Sequence, residues 1–187
     1  MMKKLAFFLT IFCGLVSGTA FAQDPTTTGP GPITATATLN VKLHPIQTIV
    51  IGGTEVNLEY ITKDDYSKGV TSKMDNHLIV YSTGGFAVKV RSENENLVRE
   101  VGEGEIPVNT INLVATSGTG NKSGSTFSAV TLDTSDKNLI SSEVGGTDLK
   151  FNVAYNGIGN NDYVNKYNNV ENPTVYTTTV TYTIEAQ

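Results

Sequence analysis

Between positions 33 and 43 every odd residue is apolar and every even one polar: Ile33, Ala35, Ala37, Leu39, Val41 and Leu43 against Thr34, Thr36, Thr38, Asn40 and Lys42. A period of two puts successive side chains on opposite faces of an extended backbone, whereas a helix would scatter these apolar residues around its circumference. The segment is therefore predicted as a β-strand with one face to bury. One strand cannot bury its own face, so a sheet must be supplied from elsewhere.

The rest of the chain offers candidates at short intervals. Runs at 46–51, 56–61, 77–81, 86–90, 108–115, 127–132 and 149–155 are rich in β-branched and aromatic residues, and a last alternating run covers 175–185. Between them stand turn-forming clusters: Gly52-Gly53, Gly84-Gly85, the glycines at 102 and 104, residues 117–124, Gly145-Gly146 and the Asn-rich 156–161. Two pairs of runs read as hairpins, 77–81 with 86–90 and 108–115 with 127–132. No window of ten residues carries helical spacing; 63–70 and 161–170 are long enough for a helical turn each. The fold class expected is all-β: a single antiparallel β-sandwich, Ig-like or pilin-like, of about eight strands. A closed β-barrel is the runner-up.

The first 22 residues read differently. Lys3 and Lys4 precede an apolar stretch from Leu5 to Val16, and Ala20-Phe21-Ala22 gives the small-x-small pattern of a signal-peptidase site. The apolar stretch is short of the ~20 residues that span a bilayer, so a cleaved secretory signal is expected and no integral membrane span after cleavage. Mature protein would begin at Gln23 with a leader over 23–32 containing three prolines, and the sandwich would occupy 33–187. Cys13, the sole cysteine, leaves with the signal, so no disulfide and no thiolate are expected. Of 13 basic residues two lie in the signal, leaving 11 against 18 acidic ones, a net charge of −7. That balance argues against nucleic acid as a partner.

Catalytic constellations are not apparent. His44 and His77 have no carboxylate or hydroxyl at motif spacing, which favours a satisfied or surface histidine over a general base. Residues 118–124 (GTGNKSG) lack the glycine directly before lysine that a phosphate loop needs, and read as a hairpin tip. Asp133, Asp136 and Asn138, and again Asn156, Asn160, Asn161 and Asp162, are oxygen-rich, but Asp and Asn serve turns for conformational reasons and neither set has calcium-loop spacing. The glutamates 93, 95, 100, 103 and 105 read as a solvated acidic face, and Asn121-Lys122-Ser123 fits a glycosylation acceptor. No cofactor is called for and no enzyme is expected.

The opening 33–41 (ITATATLNV), Pro45-Ile46, Gly52-Gly53-Thr54 and the closing 180–184 (VTYTI) resemble exported pilin-like β-sandwich proteins, nearest to the Mat/Ecp-type fimbrial major subunits. The resemblance implies a subunit on the surface of a Gram-negative cell that assembles by donor-strand exchange, an N-terminal segment of one copy completing the sheet of the next. The donor would be Ile33, Ala35, Ala37, Leu39, Val41 and Leu43, and Val180, Tyr182 and Ile184 would line the acceptor edge. The same segment could equally be the first strand of its own sandwich. A different class of function stays open beside it: a secreted or periplasmic binding module that meets a cell-surface glycan or protein through loops carrying Tyr163 and Tyr167.

Overall fold

A computed structural model describes residues 32–120 and 124–187. The signal peptide, most of the leader and the glycosylation pattern at Asn121 lie outside the described residues. The chain divides into two units, Met1–Val41 and Lys42–Gln187, and every sheet belongs to the second.

The second unit is an antiparallel β-sandwich with a short helix. Its five-stranded sheet has the order β1 (Gln47–Ile51), β2 (Val70–Ser82), β10 (Gly146–Gly157), β6 (Ile111–Ser117), β8 (Val130–Thr131). The facing four-stranded sheet runs β12 (Val180–Ala186), β3 (Phe86–Ser92), β9 (Lys137–Ser142), β7 (Ser125–Phe127). A small third sheet, β11 (Tyr176–Thr177), β4 (Asn96–Arg99), β5 (Glu105–Pro107), is laid down by the long connections. Alternation along the main strands places Leu78, Val80, Val88, Val90, Leu113, Ile140, Phe151 and Val153 in one continuous core between the sheets. Phe86 and Phe127 both meet Phe151 edge-on, at centroid distances of 6.3 and 6.1 Å.

Two sides of the sandwich differ. On one, residues 125–131 begin in the four-stranded sheet as β7 and cross at Ser128 and Ala129 into the five-stranded sheet as β8. A strand that serves both sheets ties them together, and the sandwich has a half-barrel curl. On the other side the outermost strands are β1 and β12, lying beside each other without forming a ladder.

Several expectations are corrected. Residues 33–43 form no strand: alternation states which face calls for burial, but a strand also needs a ladder partner, and the nine ladders of the described residues include none of these positions. The run 56–61 alternates as read, with Val56 and Leu58 packed on the core, yet it too is in no ladder. The 77–81/86–90 hairpin does not exist; β2 and β3 lie in opposite sheets, so the Gly84-Gly85 turn crosses the sandwich. The 108–115/127–132 hairpin survives as two residue pairs, Asn112 with Thr131 and Leu113 with Val130. The closing run splits at Thr178-Thr179 into β11 and β12, and 161–170 forms turns without a helix.

The helical turn at 63–70 is α1 (Lys63–Lys68). Thr62 caps it: its side chain accepts from Asp65 N while Asp65 reaches back to Thr62 N, and Lys68 pairs with Asp64 one turn earlier. Gly69 ends it at φ +86, where a Cβ would also meet the Gly157 carbonyl. Thr62→Ala should cost about 1 kcal/mol locally. Amide exchange at residues 65–69 should quicken while that of β6 stays unchanged; equal acceleration in both would show that α1 is not an independent unit.

Candidate functional site

The chemistry of this fold concentrates at β12 and the strands behind it. β12 is an edge: among the described residues its one ladder partner is β3, with Val180 opposite Ser92, Tyr182 opposite Val90 and Ile184 opposite Val88. Those three β3 residues are fully buried, so Val180, Tyr182 and Ile184 face inward, half-buried against the core. The other face carries Thr181 opposite Arg91, Thr183 opposite Lys89, and a Lys89–Glu185 ion pair at 2.6 Å. Charges on that face leave the inward row apolar except for one phenol.

That phenol ends a buried chain. His77 Nε2 lies 2.9 Å from Tyr155 Oη, which lies 2.5 Å from Tyr182 Oη. The chain joins β2 and β10 of one sheet to β12 of the other. His77 is turned inward by an irregularity between Met74 and Leu78, where β2 has two more residues than β10 and Asn76 takes φ +50. Asn76 is held there through its backbone N–H, donated to Asn152 Oδ1, and its side-chain oxygen, which accepts from Thr119 N. His77 Nδ1 is buried without a hydrogen-bond partner. Burial holds the imidazole below its usual pKa; it pushes the Tyr155 phenol up to about 12 and raises that of Tyr182 further. All three are neutral at pH 7.

The donor candidates belong to none of the ladders. Ile33 is 93%, Leu39 89%, Val41 76% and Leu43 89% exposed, and Ala35 and Ala37 are exposed as well. The two candidate loop tyrosines part company. Tyr163 bonds Thr110 Oγ1 at 2.6 Å and packs edge-on against Tyr60 at 4.9 Å, while Tyr60 donates to the Ile158 carbonyl and also meets Tyr66. It fastens the 158–167 loop to the body, whereas Tyr167 is half-exposed.

Among the oxygen-rich sets, Asp133 accepts from Ser135 N in a local turn and pairs with Lys137, and Asp136 pairs with Arg91. Asn156 bonds Thr71 and the Asn112 carbonyl across the sheet. Among the described residues no group of three or more His, Cys, Asp or Glu side chains is placed to hold a metal ion, and no helix is long and apolar enough to cross a membrane. His44 is exposed.

Sequence reasoning placed Tyr182 at an edge but missed the chain behind it. The two links of the chain span 27 and 78 residues, and in the 70–82 run only Asn76, a residue type that tolerates a left-handed backbone, hints at the irregularity that aims His77. Comparison with protein-family models finds no match, and comparison with curated proteins finds none either.

Proposed function

We propose that the chain is an exported, non-enzymatic structural subunit of a cell-surface assembly, in which residues 33–43 of one copy add a strand to the β12 edge of the next. One observation carries the reading: the longest strictly alternating segment of the sequence belongs to no strand and exposes its large apolar side chains, while the sandwich keeps an edge whose inward residues are half-buried. Burying a Leu, Ile or Val side chain stabilises by about 1.5–3 kcal/mol, and a strand edge offers backbone partners for the same segment. The resemblance to Mat/Ecp-type fimbrial subunits supports the same assembly, and with it a place on the outside of a Gram-negative cell.

The test compares protein starting at Gln23 with protein starting at His44, by light scattering and electron microscopy at rising concentration. The longer form should build oligomers. The shorter should stay monomeric and bind a synthetic 33–43 peptide one to one. A longer form that remains monomeric throughout, with no peptide bound by the shorter, would sink the proposal.

A further inference from the structure

The buried chain suggests how the β12 edge is controlled in a single copy, whether or not copies assemble. Its hydrogen-bond inventory favours one tautomer of the imidazole. With Nδ1 lacking a partner, the less costly neutral tautomer carries its hydrogen on Nε2, because an orphaned lone pair is tolerated better than an orphaned N–H. His77 then donates to Tyr155, and between Tyr155 and Tyr182, the outermost ring, either oxygen can donate.

A second proton on this imidazole has nowhere to point. It would sit on Nδ1, in a residue 2% exposed, with no acceptor. The titratable groups facing the ring are two phenols, Tyr155 from β10 and Tyr182 from β12, both packed edge-on at 5.7 and 6.0 Å. From β1 comes Ile51, paired with the neighbouring Leu78, and just after it Gly52, whose N–H donates to the His77 carbonyl; neither titrates. Asp75 on β2 is exposed. Lys89, Arg91 and Glu185 occupy the opposite face of the β3–β12 pair. Among the described residues no carboxylate compensates the cation, and burial holds the pKa down.

The charged ring therefore needs water. His77 and Tyr155 are fixed in β2 and β10, which share the longest ladder of the molecule. Tyr182 sits on an edge strand with a ladder on one side. We propose that the His77–Tyr155–Tyr182 chain is an acid-released bolt: protonation of His77 frees Tyr182 and loosens β12 while the five-stranded sheet stays paired.

The sign follows from linkage. Above about pH 6.5, the ordinary histidine pKa, both closed and open forms hold a neutral ring and the bolt is fully effective. Below it the open form gains a proton that the closed form refuses, so opening becomes about tenfold more favourable per pH unit until the folded pKa is passed.

Hydrogen-exchange mass spectrometry on dilute protein starting at Gln23, corrected for intrinsic exchange, reads this directly. Between pH 6.5 and 4.5 the opening of residues 180–186 should rise by up to about 50-fold with no parallel rise in 111–117. His77→Phe, which keeps an aromatic ring but cannot titrate, should remove that step. Parallel rises in both strands, or a step that persists in His77→Phe, would overturn the proposal. If that variant does not fold, the wild-type ring protons decide by NMR. A ring that titrates only as β12 loses protection supports the bolt; one that titrates near 6.5 while β12 stays protected overturns it.

Discussion

Phe151→Ala should remove about 3–5 kcal/mol from a domain whose whole stability is expected to be about 5–15 kcal/mol. Phe151 is fully buried at the centre of β10, and its ring receives Phe86 from the opposite sheet and Phe127 from the strand that passes between sheets. Truncation empties a site walled by both layers, and neither can relax into it without shifting a ladder: Phe151 pairs with Leu78 on one side and Ser117 on the other. The melting temperature should fall by on the order of 10 °C. Phe151→Leu, which refills most of the volume, should recover more than half of the loss. A fall of less than about 1 kcal/mol in urea unfolding would mean that Phe86 and Phe151 do not form the centre of the core.

Glu171→Ala should cost about 3 kcal/mol, with an effect confined to one region. Arg99 on β4 donates through Nε and Nη2 to one Glu171 oxygen, at 3.0 and 2.6 Å, and through Nη1 to the Glu103 carbonyl. Both side chains are 13% exposed, so the guanidinium left behind would be a poorly solvated charge without a counter-ion. Lys166 Nζ donates to the Glu105 carbonyl and Tyr176 to the Lys166 carbonyl, so the pair anchors the 158–175 connection onto the small β11-β4-β5 sheet. Exchange should quicken at residues 96–107 and 166–177 and leave β10 unaffected. Replacing both partners by methionine should restore most of the stability, since neither charge is then stranded. A loss below 1 kcal/mol would place the pair with ordinary exposed ion pairs.

The fold class could be read because it rests on alternation, which survives any choice of partner. Val180, Tyr182 and Ile184 point inward as their spacing says, and so do Leu78 and Val80. Pairing was not readable. The tight Gly84-Gly85 turn looks like a hairpin, yet it carries the chain between layers, because the faces of β2 and β3 are buried against each other rather than side by side. Residues 33–43 and 56–61 show the same gap between pattern and ladder: one alternates in the open and the other packs by side chains alone. β4, β5 and β9 went unnoticed, being short or polar on their outer faces. Of the candidate site, Tyr182 entered through the resemblance as an acceptor-edge residue, but His77 owes its inward position to Asn76 in a left-handed conformation, which an asparagine permits without announcing.

The strand that changes sheets at Ser128-Ala129 has a consequence for valence. Among the described residues it leaves the two main sheets one unlaced seam, between β1 and β12, and in the proposed assembly that seam is the socket for the alternating segment at 33–43. In that proposed assembly, one socket and one plug per copy would give a thread without branch points. Such a thread has direction, with a free plug at one end and an empty socket at the other, and its growth can be stopped by anything that fills that last socket without bringing a plug of its own.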